Sequence, residues 1–425
     1  MFPAEPPPRT SGFYALLKNR PFMVLWFGQV MSQVADKVFF VLLISLLDSY
    51  HSPRMFENSM RSALMVAFTL PAILFGSAAG IFVDRFPKKQ LMIGADVIRA
   101  ALMILIPILP KQFFILLVIT FLISSVTQFF APAEQAAVPL LVRRENLMAA
   151  NALFTTTMMG SLIVGFAIGE PLLTFVAHLA GEESRDIFVA GLYIIAAVSG
   201  FFIKIKEPKI SQSTVAIHPL KDLKEGLSYL WGNRLVRNAM LQLTILYSVF
   251  AALTVLAITL AERIGLKSTQ FGFLLAAAGV GLVLGAGLLG NWGDRFHHKP
   301  LPLIGFLSMA FVLAVFSFIG QKWLGLKLSI GLGLGLSALL GLGASLIGVP
   351  MQTVIHASTQ ESMRGKVFGF QNNVVNIALS VPLAVAGPLT DAVGLRTVLI
   401  GMSLLVAVAG IWAWQNTRRV LRDVI

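Results

Sequence analysis

Ionisable side chains inside apolar helical runs are the first place to look for chemistry, because each costs a few kcal/mol on insertion scales. Asp36 stands out. It lies about 15 residues into a long apolar run, roughly 22 Å of helical rise and slightly beyond the midplane of a bilayer. Gln29, Gln33 and Asp36 follow at steps of four and three, so they share one helical face. That polar stripe is expected to line a central cavity, with Asp36 as a site for a proton or a cation. The competing reading is a structural ion pair with a neighbouring helix. Lys37 points about 100° away round the same helix and is expected to pair across to the fifth helix or beyond.

Other polar groups in apolar runs extend the set. Asp96 and Arg99 are three apart and suit a local pair, or a cluster with the charged loop that precedes them. Glu134 follows Pro132, where a broken helix would expose it as a second proton-linked carboxylate or as an ordinary gate contact. Gln371 opens a further polar segment in which Asn372, Asn376 and Ser380 are four apart, suited to binding a solute or to bonding helices together. Gln242 and Tyr247 are weaker candidates of the same kind. Enzymatic chemistry finds no convergent His, Ser or metal constellation, since His356 lies within a run without an obvious partner. The chain has no cysteine, which excludes a disulfide framework and thiolate metal sites. No cofactor is expected.

These residues need long helices to hold them. Only 12% of the 425 residues are charged and 56% are hydrophobic, against about 25% charged in soluble domains, so most of the surface should face lipid. Apolar runs fall near 21–48, 61–83, 91–110, 113–138, 149–178, 187–204, 237–261, 270–291, 300–320, 327–356, 367–389 and 396–415. A bilayer core of about 30 Å takes roughly 20 apolar residues, and lipid-exposed backbone must satisfy itself, which makes these runs helices. The fold class is therefore an all-α membrane protein with twelve transmembrane helices. The expected organisation is a six-helix bundle over 1–204, a linker over 205–236 and a second six-helix bundle over 237–425.

Placing both termini inside puts more than twice as many Lys and Arg on the cytoplasmic side as outside, as the positive-inside rule requires. The net charge of +13 is read as this loop bias rather than as a nucleic-acid footprint. The first apolar run is too long for a cleaved signal peptide. In the linker, Leu220, Leu223, Leu227, Leu230 and Trp231 recur at three- and four-residue steps, the pattern of an amphipathic surface helix.

The two halves share a loop. After the second run the chain reads Gly80-Ile-Phe-Val-Asp84-Arg85-Phe-Pro-Lys88-Lys89, and after the eighth Gly290-Asn-Trp-Gly-Asp294-Arg295-Phe. A glycine there allows close helix approach, the aspartate can cap a helix N-terminus, and the basic residues hold the cytoplasmic face. Gly331 to Gly348 in the tenth run suit close packing, since no strand precedes them to make a nucleotide loop.

The duplicated Gly-x-x-x-Asp-Arg loop, at equivalent places in two six-helix halves, resembles the major facilitator superfamily, whose halves are parallel repeats about a midplane site. LKNRPFMVLWFGQVMSQVAD, APAEQAAVPLLVRRENLMAANAL and LKEGLSYLWGNRLVR are similar to the drug–proton antiporter branch, including macrolide-efflux-type exporters. They are also similar to siderophore exporters and, more distantly, to lysophospholipid transporters. Pro87 and His297 depart from the family pattern, which has glycine after Asp-Arg-x. The segment from Gly160 through Gly165 and Gly169 to Glu170-Pro171 resembles a degraded form of the antiporters' glycine-rich fifth helix.

The resemblance implies export of amphipathic or cationic small molecules by proton-coupled alternating access, from a monomer in a bacterial inner membrane. Flipping of a lysolipid substrate is the alternative. No Walker loop is present to couple ATP. The resemblance also implies a cytoplasmic gate built on Gly80, Asp84, Arg85, Lys88, Lys89, Asp96, Arg99, Gly290, Asp294 and Arg295.

Overall fold

The computed structural model describes residues 16–49, 56–143, 146–205, 227–228, 231–292, 300–320, 325–359 and 364–422. Among them are twelve long α-helices: α1 (Arg20–Ser49), α2 (Glu57–Arg85), α3 (Lys88–Leu105), α4 (Phe113–Leu141), α5 (Leu147–Ala180), α6 (Ser184–Phe202), α7 (Arg234–Ile264), α8 (Phe271–Trp292), α9 (Leu301–Phe316), α10 (Leu326–Ser358), α11 (Arg364–Val393) and α12 (Leu395–Arg422). The expected twelve helices are all present, and most outrun the apolar segments that announce them.

Ten of these helices are long and apolar enough to cross a membrane by length and composition. The exceptions are instructive. Helix α9 is 16 residues long, short of the run expected over 300–320. Helix α3 ends at Leu105 rather than near residue 110, and it carries Asp96 and Arg99, which are buried in protein rather than presented to lipid. Prolines 71, 132, 139, 171, 350, 382 and 388 lie within continuous helices. Neighbouring helices can re-satisfy the backbone groups that proline frees in a membrane.

Helix packing repeats between the halves. Helix α1 packs on α5 and α6, α2 on α4, and α3 on both α4 and α6. Six helices later, α7 packs on α11 and α12, α8 on α10, and α9 on both α10 and α12. The halves meet along two seams, α2 with α11 and α5 with α8. Within the second half, Gly281 of α8 lies against the Ala338 carbonyl of α10, and Gly341 of α10 against the Ala278 carbonyl of α8. Any Cβ at either position would hit backbone, so the glycines expected to serve close packing in α10 do so at Gly341.

The start of α2 meets the end of α7 through Arg61 and Glu262, and the end of α11 through Asn58, Ser59 and Asp391, at one end of the bundle, here called the distal face. At the other, proximal end the start of α1 meets the end of α4 through the bond from Asn19 Nδ2 to the Leu141 carbonyl, 2.8 Å. Helix α7 stops at Gly265, whose φ of 97° gives the left-handed C-cap that an L side chain rarely adopts. Most of the linker that is expected to be amphipathic lies outside the described residues. Within it, Leu227 and Trp231 are exposed.

Candidate functional site

Four helices of the first half bring a polar cluster together. Helices α1, α3, α4 and α6 pack around Arg99, whose side chain is fully buried. Arg99 Nη1 lies 3.1 Å from Asp36 Oδ1 and Nη2 lies 2.5 Å from Asp96 Oδ1. Arg99 also donates to Ser32 Oγ at 2.9 Å and to Thr127 Oγ1 at 3.3 Å. The Tyr193 hydroxyl donates to Asp36 Oδ1 at 2.7 Å. The rings of Phe130 and Tyr193 lie 4.5 and 4.6 Å from the guanidinium carbon, close enough for their π faces to stabilise the cation where water is excluded.

The electrostatics follow from these contacts. A buried guanidinium is tolerable only when its charge is paired and most of its N–H groups are bonded. Asp36 and Asp96 do the first, and Ser32 and Thr127 help with the second. Two carboxylates thus face one cation, and a third is close by. Glu134 is buried and lines a narrow cleft together with Gln29, Asp96 and Phe130. Its Oε1 has no hydrogen-bond partner among the described residues, and neither has Oε1 of Gln29. Of the bonded charged trio, Asp36 alone keeps appreciable side-chain exposure, 14% against 0% for Arg99 and 3% for Asp96. Asp36 is therefore the member of the trio most open to water.

This geometry rearranges the sequence expectations. Asp96 and Arg99 form the local pair that is one of the two expectations for them, and both also bond to α1 through Asp36 and Ser32. Arg99 has turned inward one helical turn beyond Ala95, and its partners come from positions 63 and 28 residues away in sequence. Asp36 makes the ion pair of the competing reading. Gln29 and Glu134 join the cleft beside it, while Gln33 is half-buried on the same face of α1. Lys37 runs its stem over Gly165 of α5, where an added Cβ would approach Lys37 Cβ to 2.6 Å. Tyr193 is absent from the sequence expectations, because an aromatic in an apolar run carries no signal of a buried hydroxyl bond.

The second-half candidates lie apart from this cluster. Gln371 donates to Gln352 Oε1 at 2.8 Å, and Gln352 lies 3.2 Å from His356 Nε2. Asn376 sits on the α2–α11 seam, its Nδ2 3.9 Å from where a Cβ on Gly76 would stand. The side chains of Asn372, Asp84 and Arg85 lie outside the described residues, as do the surroundings of Gly80 and Gly290 and the whole of Asp294 and Arg295. Lys88 is half-buried at the start of α3. Lys89 donates to the carbonyls of Phe201 and Ile203 at 2.8 and 2.9 Å, satisfying acceptors at the end of α6.

A second polar group, which the sequence pattern does not announce, ties the halves at the distal face. Arg61 of α2 contacts Glu57 and Glu262, each at 2.5 Å. Asp391 of α11 accepts from the Asn58 side chain at 2.7 Å and from the Ser59 amide and hydroxyl at 2.8 and 2.6 Å. At the same end of the bundle a polar cleft of about 450 Å³ lies between α1, α5 and residues 267–269, lined by Ser45, Glu170, Thr174 and His178 among others.

The fold agrees with the proteins the chain is similar to. The Major Facilitator Superfamily model matches residues 25–381. Macrolide efflux protein A of Streptococcus pyogenes is 23% identical over 413 residues, covering 94% of this chain and 97% of its own. Enterobactin exporter EntS of Escherichia coli O1:K1 is 26% identical over 423 residues, covering 95% of each. Among solved structures, a bacterial homologue of the human lysosomal transporter Spinster, in its inward-facing and unoccupied conformation, superposes with a TM-score of 0.73 at 13% identity, covering 95% of this chain and 98% of that one. The nucleoside transporter NupG gives 0.69 at 11% identity, with 93% and 99% covered. With a family match that runs from α1 into α11 and a helix order repeated in both halves, the chain belongs to the Major Facilitator Superfamily and is a multi-pass membrane transporter rather than an enzyme.

Proposed function

We propose that this transporter exports amphipathic or cationic small molecules in exchange for protons, from a monomer in a bacterial inner membrane with both termini and the proximal face in the cytoplasm. The observation that carries the proposal is the Asp36–Arg99–Asp96 cluster. A proton taken up by Asp36 removes one of the two charges that hold Arg99. The guanidinium then relies on Asp96 and Ser32, both of which it already contacts, and α1 loses its charge link to α3. Deprotonation restores the link, so the proton biases how α1 sits against α3 and α6. That is the kind of two-state element that alternating access needs.

Relatives named for macrolide efflux and enterobactin export support the outward direction. The Lys and Arg bias supports the orientation, and the repeated packing supports a division into bundles over 1–204 and 237–425 joined by 205–236. In this reading the Arg61–Glu262 and Asn58–Asp391 bonds close the periplasmic side. Gln29, Gln33 and Glu134, with Gln371, Asn372 and Asn376 from the second half, supply polar contacts along the path.

The test is transport by the whole chain in reconstituted vesicles, with and without an imposed pH gradient, over a panel of cationic dyes, macrolides and a lysophospholipid. Gradient-driven movement of a dye or macrolide that disappears in Asp36→Asn is the expected result. Undiminished gradient-driven transport by Asp36→Asn removes Asp36 from the coupling. Gradient-independent movement of the lysolipid alone replaces this reading with lipid flipping.

A further inference from the structure

Away from both clusters, two arginines share a cavity at the distal end of the second half. Arg263, at the end of α7, and Arg396, at the start of α12, both line a space of about 610 Å³ with Val315, Phe318, Leu332 and Leu336. That volume is within the usual range for a small-molecule pocket. Like charges set this near each other repel. Neither guanidinium has a carboxylate at ion-pair distance among the described residues.

The sequence explains the shortage. Between Glu262 and Glu361 the single acidic residue of the sequence is Asp294, which comes after the last residue of α8. The acids nearest to the two arginines in sequence are already engaged, Glu262 of α7 by Arg61 and Asp391 near the end of α11 by Asn58 and Ser59. What each arginine has instead is neutral. Arg263 Nη2 donates to the Ser317 carbonyl at 2.9 Å, and the Arg396 guanidinium lies 4.7 Å from the centre of the Phe318 ring. Both contacts place the heads and leave most N–H groups available to another acceptor.

Apart from Ser317 the rest of the lining is apolar, and part of it is exposed. Phe318 is 60% exposed and Leu332 39% exposed, and in a membrane protein such surface lies against acyl chains. An occupant must therefore present an anion of roughly phosphate size to two guanidinium forks and hydrocarbon to the groove between α9 and α10. We propose that this cavity binds one anionic phospholipid of the distal leaflet, its phosphate between Arg263 and Arg396 and the upper part of an acyl chain along Val315, Leu332 and Leu336. Bidentate guanidinium–phosphate bonding is the recognition chemistry.

Native mass spectrometry of the purified full chain in detergent tests this, with phosphatidylglycerol and phosphatidylcholine of matched chains added in turn. One phosphatidylglycerol retained per chain, in about tenfold preference over phosphatidylcholine, is expected, the size of one charge-assisted hydrogen bond. Arg396→Gln should reduce retention about tenfold by the same reasoning. Leu336→Trp should reduce it by filling the groove with both arginines in place, and it carries the test if Arg396→Gln does not yield a folded monomer. Equal retention of the two lipids overturns the proposal, as does retention untouched by whichever of these variants folds. Displacement of phosphatidylglycerol by millimolar inorganic phosphate would show a free-anion site and also overturns it.

Discussion

Arg61 near the start of α2 lies 2.5 Å from Glu262 near the end of α7, which joins the two halves of the transporter at the distal face. Arg61 is 1% exposed and Glu262 37%, so the arginine is desolvated while its partner still meets water. Breaking a fully buried pair costs about 3–5 kcal/mol, and the exposure of Glu262 brings the value well below that.

Arg61→Gln should therefore shift the balance of states toward opening at the distal face by about 1–2 kcal/mol, or about 5–30-fold in population. The chain contains no cysteine, so Thr174→Cys, placed in the distal cleft, reports alone. Its labelling by a membrane-impermeant maleimide should rise by that factor in the Arg61→Gln background. An unchanged rate would mean that the pair does not weigh on the equilibrium.

The Arg99 cluster gives a ranking of stabilities. Arg99→Ala leaves Asp36 and Asp96 without their cation and should cost about 3–5 kcal/mol. Tyr193→Phe removes one hydroxyl bond but keeps the ring against the guanidinium, and should cost about 0.6–2 kcal/mol. Thermal unfolding in detergent should place wild type above Tyr193→Phe and Tyr193→Phe above Arg99→Ala. Adding Asp96→Asn to Arg99→Ala should recover part of the loss, because it removes one of the uncompensated charges. A double variant no more stable than Arg99→Ala would show that packing, not charge, sets the cost.

Much of this architecture is legible in the sequence, for a physical reason. Lipid allows few solutions to the backbone's hydrogen bonds, so apolar runs map onto helices almost one for one. Asp36 is legible because a carboxylate in such a run is expensive. Its partner is not, because Arg99 lies 63 residues away on a helix whose neighbours are set by tertiary packing. The distal bonds are hidden differently. Helix α2 begins at Glu57, four residues before the apolar run, which makes Arg61 look like a loop charge when it is buried in the seam. Periodicity locates helix faces but does not say which faces meet.

Lys89 separates two roles that the loop sequence cannot. Its ammonium satisfies the Phe201 and Ile203 carbonyls at the end of α6, a favourable place for a cation, worth about 0.3–1 kcal/mol. Lys89→Met should therefore speed amide exchange across residues 199–205 by about two- to fivefold. Transport lost without any change in that exchange would assign Lys89 to the gate instead.

Gly387 offers a way to hold the distal face open. It lies in α11 where that helix meets α2, and its amide donates to Ser62 Oγ at 2.9 Å. A Cβ built there would land on the Asn58 carbonyl and the Ser62 hydroxyl. The first is backbone and cannot turn aside, so Gly387→Val should separate α2 from α11 at this end. The bonds from Asn58 and Ser59 to Asp391 lie within a turn of the contact and should be lost with it. The helices themselves would persist, because valine is accepted in a helix at least as well as glycine. The expected protein is folded and monodisperse, inactive in transport, and labelled at Thr174→Cys at least as fast as Arg61→Gln. Normal transport by Gly387→Val would mean that close approach of α2 and α11 at this point is not needed during the cycle.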